Sequence, residues 1–178
     1  MNDIYCEYIV KRKMGVKALI CRYFVVIATV LAFYYGLILS QFYGAFFGML
    51  LVFFGMLLAL LCLYVFRNTN LEYEYQFISG SLDIDVIFAR AKRKRARKFD
   101  MRAVEVFALA DSDVFKQYEN MKADKAYRVV DYSSGYPDRK KYAFIVSIGE
   151  KGVAKVIFEP NEKMVEAIRQ YIPSKMRV

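Results

Sequence analysis

"YFVVIATVLAFYYGLILSQFYGAFFGMLLVFFGMLLALLCLYVF", residues 23–66, runs for 44 residues without a single Asp, Glu, Lys or Arg. As one helix it would be about 66 Å long at 1.5 Å per residue, about twice the ~30 Å hydrocarbon core of a bilayer. It must therefore fold back. Polar and turn-forming residues gather only at Ser40-Gln41-Phe42-Tyr43-Gly44, so the run divides into two spans, 23–41 and 45–66. A hairpin buried inside a soluble protein would need a far larger protein around it. A cleaved signal peptide does not fit either: the stretch is too long, no small-x-small site follows it, and a second span comes directly after.

Basic residues lie outside the spans and not between them. Lys11, Arg12, Lys13, Lys17 and Arg22 precede the first, and Arg67 follows the second. That asymmetry predicts a two-span protein of the cell membrane with both termini cytoplasmic. Cys6, Cys21 and Cys62 all lie within or before the spans, which predicts no disulfide framework and agrees with a reducing compartment. Small residues recur at helical spacing: Ala28, Ala32 and Gly36 on the first span, then Gly44, Gly48, Gly55 and Ala59 on the second. Such faces let backbones approach closely, so the two spans are expected to pack on each other, with homo-oligomerisation through one face as the alternative.

Residues 1–22 read as a separate basic segment. Asn2 or Asp3 could cap a short helix carrying Ile4, Tyr5, Tyr8 and Ile9, followed by Lys11, Arg12 and Lys13. The expectation is a helix lying at the headgroup level, with a frayed basic tail as the alternative.

Residues 68–178 read as a mainly-β domain. "LEYEYQF" alternates strictly, with Leu71, Tyr73, Tyr75 and Phe77 on one face and Glu72, Glu74 and Gln76 on the other. "SGS" at 79–81 makes the turn, and "LDIDVIF" repeats the alternation through Leu82, Ile84, Val86 and Phe88. Further strands are expected near 102–109, 126–132, 141–148 and 153–159, with Gly149-Glu150-Lys151-Gly152 as the last turn. After Pro160, "NEKMVEAIRQYI" has a helical pattern: Asn161 is the cap, and Met164, Val165, Ile168, Tyr171 and Ile172 form an apolar face. Many short strands and one closing helix describe a small barrel or bent sandwich plugged by that helix.

One feature of this domain stands apart. Residues 68–178 carry 21 basic and 16 acidic groups, and seven of the basic ones crowd into "RAKRKRARK": Arg90, Lys92, Arg93, Lys94, Arg95, Arg97 and Lys98. Without them the domain is slightly acidic. Because charges occupy both odd and even positions, neither face of a strand could be buried, and a protruding hairpin tip is expected. The tip could touch the anionic leaflet, meet an acidic protein partner, or stay solvated.

The chain resembles a family of bacterial two-helix membrane proteins whose soluble part is a pleckstrin-homology-like (PH-like) domain. The resemblance is carried by "EYIVKRK" at the start, "YEYQFISGSLDIDVI", "DYSSG" at 131–135, "AFIV" and "VIFEPNEKMVEAI". It implies a partly open, seven-stranded barrel capped by the C-terminal helix, and it implies no activity. One departure matters. Lipid-binding pleckstrin-homology domains usually build a phosphoinositide pocket around the first hairpin loop, which here is only Ser79-Gly80-Ser81, so no such pocket is expected.

Catalysis is not expected. The chain has no histidine, its soluble part has no cysteine, and no glycine-rich phosphate loop is present. The paired acids Glu72/Glu74 and Asp83/Asp85 read as solvated strand faces and not as an acid–base or metal site, so no cofactor is expected. Nucleic-acid binding is disfavoured because the basic run lacks interleaved aromatics and a recognition helix. The expected function is therefore that of a membrane-anchored PH-like module that touches membrane lipids and recruits or scaffolds a protein at the cytoplasmic face.

Overall fold

A computed structural model describes residues 5–119, 127–148 and 152–177. The chain forms two compact units: residues 14–71, and residues 1–13 together with 72–178. The second unit is thus interrupted by the first.

The helical unit is a hairpin of α1 (Val16–Tyr43) and α2 (Ala45–Thr69). Gly44 alone joins them, with φ near +88°, a left-handed conformation that favours glycine. Both helices are long and apolar enough to cross a membrane, and the chain itself buries little of them. A buried core helix of a soluble protein would be mostly covered. Their contact is made by Val25, Ala32 and Gly36 on α1 and Gly48 and Gly55 on α2, which are buried. The crossing is tight at Gly48, where a Cβ would come within 2.3 Å of the Ser40 Cβ and 2.9 Å of the Gly36 carbonyl oxygen. Ala28 and Ala59 are half-buried, and Gly44 is an exposed turn and not part of the packing face. At the open end of the hairpin, Arg22 Nε donates to Thr69 Oγ1 (2.7 Å) and Nη2 to the Phe66 carbonyl (3.1 Å).

The β unit begins before the helices. Residues expected to form an interfacial helix are instead a strand, β1 (Tyr5–Lys11). It pairs antiparallel with β2 (Leu71–Ile78), from Tyr5 opposite Ile78 to Lys11 opposite Glu72. The segment "YCEYIVK" suits both periods, and the partner strand decides the outcome: its alternation puts Cys6, Tyr8 and Val10 toward the core, Val10 at 1% exposure. The proposed cap at Asn2 or Asp3 lies outside the described residues. β3 (Ser81–Phe88) and β4 (Lys92–Asp100) complete a four-stranded sheet in the order β1-β2-β3-β4. Ser79 and Gly80 turn between β2 and β3 with φ of 46° and 91°, and a side chain on Gly80 would strike the Tyr171 ring.

A second sheet contains β5 (Val104–Leu109), β6 (Tyr127–Asp131), β7 (Tyr142–Ser147), β8 (Val153–Phe158) and a two-residue β9 (Met176–Arg177). Its order is β6-β8-β7-β5-β9, with β6 parallel to β8 and β9 parallel to β5. The expected turn at 149–151 lies outside the described residues. A short α3 (Lys116–Glu119) precedes the undescribed stretch before β6. The seven-stranded barrel is therefore corrected to nine strands, among the described residues, in two open sheets. The difference comes from β1, contributed from before the helices, and from β9, added after the last helix.

Between the sheets the core is aromatic. Phe158 meets Tyr75 (5.5 Å), Phe144 (5.7 Å) and Phe107 (6.0 Å) edge to face, and Phe99 meets Phe144 at 5.1 Å. Such pairs add about 0.5–1.5 kcal/mol beyond their burial. α4 (Glu162–Tyr171) closes one side with Met164, Val165, Ala167 and Ile168 buried. The Asn161 side chain accepts from the Met164 amide at 2.9 Å, satisfying one of the helix's unpaired N–H groups.

Candidate functional site: the basic edge of the first sheet

The seven-cation run is not a protruding tip. Only Ala89, Arg90 and Ala91 turn: the first two are left-handed with φ of 48° and 57°, as in a type I′ turn, and the Ala91 amide donates to the Phe88 carbonyl at 3.0 Å. Lys92 to Lys98 then lie in β4, paired along their length with β3. The strand is an edge: no other described strand joins its far side. Apart from half-buried Ala96, residues 91–98 are exposed, as charges at both odd and even positions require.

Their two faces differ chemically. Pairs run Phe88 to Lys92, Ile87 to Arg93, Val86 to Lys94 and Asp85 to Arg95; then the register shifts and Ile84 faces Arg97 and Asp83 faces Lys98. Ala96 is the extra residue of this bulge. Its insertion lets Arg93, Arg95 and Lys98 share one face although they are not evenly spaced. That face is also the acidic one. Arg93 Nη2 donates to Glu74 Oε1 at 2.6 Å and lies 2.5 Å from Oε2; Arg95 lies 3.9 Å from Asp83 and 4.0 Å from Asp85; Lys98 lies 3.8 Å from Asp83. Arg90 Nε donates to Glu72 at 3.0 Å. The acids read as solvated strand surface are therefore the counter-charges of the basic run. Lys92, Lys94 and Arg97 project from the opposite face and have no ion-pair partner among the described residues.

Glu74 anchors the charged face. It is fully buried, although the strand pattern points it away from the aromatic core, because Arg93 and Gln76 cover it; Gln76 Nε2 donates to Oε1 at 3.1 Å. Burial, followed by a hydrogen bond with the Glu7 carboxyl, pushes the Glu74 carboxyl above its ordinary value, and Gln76 and Arg93 oppose the rise. Glu7 on β1 is held low, chiefly by the Tyr5 hydroxyl, which donates to it at 2.5 Å. A chain of contacts thus crosses the sheet from β1 to β4. None of it was visible as local pattern, since the four residues come from positions 5, 7, 74 and 93.

The antiparallel course also fixes which end of the sheet carries the turn. β1 ends at Lys11, opposite Glu72 near the start of β2, and Arg90 bonds that same Glu72. Hence the basic turn, far from the helices along the chain, lies at the end of the sheet where both connections to them leave. Two cations counted as flanking the first span are engaged by the β unit: Arg12 Nη1 donates to the Tyr73 hydroxyl at 2.6 Å, and Lys13 Nζ sits 5.4 Å from the Tyr136 ring centre. The motifs "DYSSG" and "FEPNEKM" meet here as well. Glu159, 4% exposed, accepts from the Ser134 amide (3.1 Å) and Arg139 (3.0 Å), while the Ser134 carbonyl accepts from the Lys13 amide at 2.7 Å. Beside them a cleft of about 380 Å³ is lined by Tyr8, Arg139, Lys140, Tyr142 and Asn161. Glu159 and Glu162 also line it and balance its two cations, Arg139 pairing with Glu159 at 3.0 Å, which leaves no net charge to select a ligand.

A family model described as a bacterial PH-like domain (DUF6106) matches residues 2–178, taking in the first strand, the helices and the β unit. No curated protein and no solved structure matches the chain.

Proposed function

Since this chain belongs to the bacterial PH-like domain family DUF6106, we propose that it is a non-enzymatic membrane anchor whose PH-like unit recruits or scaffolds a protein partner at the cytoplasmic face. One observation carries the reading. The β unit is joined to the helices by two connections, residues 12–15 and Asn70, that leave the same end of one sheet. These connections are short on both sides, so the β unit is tied to the apolar hairpin at both of its ends and not by one long linker. Lys17, Arg22 and Arg67 near the outer ends of the helices, with no charge at the Gly44 turn, support the cytoplasmic side. The absence of histidine, and of cysteine after Cys62, supports a binding role over catalysis.

Crosslinking in intact membranes, with photoreactive groups placed along the exposed strands and products identified by mass spectrometry, tests this. The expected result is one recurrent protein joined to the β unit. Recovery of lipid alone would overturn it. A reporter fused after Val178 should be active only in the cytoplasm, and one inserted at Gly44 only outside.

Contact with the anionic leaflet is the second reading, favoured by the position of the basic turn at the end of the sheet that leads to the helices. Each Lys or Arg reaching the surface would gain about 1 kcal/mol, within a Debye length of about 8 Å. Such binding would fall as salt rises and would be lost when Arg90, Lys92 and Lys94 are replaced by serine.

A further inference from the structure

Among the described residues, the far side of β4 is an unpaired backbone edge of nine residues, longer than the usual strand of about five or six. Long exposed edges are normally a hazard, because their free N–H and C=O groups template pairing with another chain. Here the edge excludes a second copy of itself. Two β4 strands side by side would set Lys and Arg against Lys and Arg along their length, and like charges directly opposite are destabilising. What the edge repels in its own kind it attracts in the opposite kind.

The side chains select a spacing. On the acidic face Arg93, Arg95 and Lys98 already have counter-charges. Lys92, Lys94 and Arg97 have none among the described residues, and they share the other face. Because Ala96 is an inserted residue, an unbulged neighbouring strand meets these three at strictly alternate positions, as Phe88, Val86 and Ile84 do on the β3 side. We infer that the β4 edge takes up an extended acidic segment of a partner protein as a fifth strand, with carboxylates at every second residue facing Lys92, Lys94 and Arg97. Backbone pairing supplies the attachment, and the alternating acids supply register and choice of partner. The inference rests on the adaptor reading above and names the chemistry of its partner.

The test uses the full chain in zwitterionic detergent and a labelled peptide of about eight residues that alternates glutamate with valine and threonine. Saturable binding is expected, with slowed hydrogen exchange confined to residues 92–100. Three cross-strand charge pairs at about 0.2–1 kcal/mol each imply that K92S/K94S/R97S weakens binding by about 3- to 150-fold. Since these three side chains have no ion-pair partners among the described residues, the variant should unfold at the wild-type temperature. The same peptide N-methylated at alternate residues keeps its charge and loses its edge-pairing N–H groups, and it should not bind. Equal binding of the methylated peptide, unchanged binding by the triple variant, absent saturable binding, or protection outside β4 overturns the inference. A crosslinked partner seated on another strand would sink this inference and leave the adaptor reading intact. Peptide binding without any partner recovered in membranes would do the reverse.

Discussion

Val10→Ala is the sharpest probe of the claim that the first strand of the β unit precedes the helices. Val10 is 1% exposed and belongs to the aromatic core, packed where β1 covers Tyr73 and Tyr75. Removing two methyl-sized groups costs about 1.6 kcal/mol in transfer, and the cavity left behind raises this to about 2–3 kcal/mol. A domain of this size loses roughly 3–5 °C per kcal/mol, so the midpoint should fall by about 6–15 °C. Ile9, its neighbour on the opposite face, is 48% exposed, and Ile9→Ala should shift the midpoint by less than about 2 °C. The chain has fifteen tyrosines and no tryptophan, so near-ultraviolet circular dichroism of the full chain in detergent follows the transition. If residues 5–11 lay instead as a helix among headgroups, both substitutions would alter membrane partition and neither would move the β-unit midpoint. Equal small shifts for the two variants would refute the strand assignment.

Arg93→Ala leaves the buried Glu74 without its cation and should cost about 1–3 kcal/mol, whereas Lys94→Ala, exposed and without an ion-pair partner among the described residues, should stay within about 0.5 kcal/mol; denaturant titration separates them. Glu74 has a raised folded-state pKa, so its share of stability is complete below the ordinary carboxylate value of 4.5 and declines as pH climbs through the raised one. Between those limits the wild-type midpoint should fall relative to Glu74→Gln, and parallel curves would exclude this role. Gly48→Val forces a side chain against Ser40 and the Gly36 carbonyl and should cost about 1–3 kcal/mol of hairpin stability, read as a lower midpoint in sodium dodecyl sulfate denaturation.

What could be read from the sequence was what is encoded locally. The β2–β3 hairpin announces itself through strict alternation around Ser79-Gly80, and α4 through Asn161 and an apolar stripe including Met164 and Ile168. That the helical run folds back follows from its length, and the turn-forming residues Ser40 to Gly44 place the break. β1 escapes a local reading because Tyr5, Tyr8 and Ile9 fall at helical spacing as readily as Cys6, Tyr8 and Val10 alternate, and the deciding partner lies sixty or more residues later. The basic run was misread for a related reason. Charges at odd and even positions look like a loop until Glu74, Asp83 and Asp85 on neighbouring strands are known to face them and Ala96 is known to bulge. The bonds from Glu159 to Ser134 and Arg139 likewise unite segments more than twenty residues apart, which no local pattern encodes.

Pairing of β1 with β2 links assembly of the sheet to the path of the two apolar helices between them. β1 leaves the ribosome before the helices and cannot find its neighbour until both have been synthesised. Only an even number of crossings returns the chain to the side where β1 waits; a single crossing strands the two halves of one sheet on opposite sides of the barrier. Closing a loop of nearly sixty residues would be slow and entropically costly if it were floppy, but the packed hairpin, latched by Arg22 to Thr69, holds its ends together and shortens the effective loop to a few residues. If the two helices cross a membrane, their packing shortens the search of β1 for β2. Faulty insertion leaves Val10 and the β2 edge exposed, the kind of surface that cellular proteases and chaperones recognise.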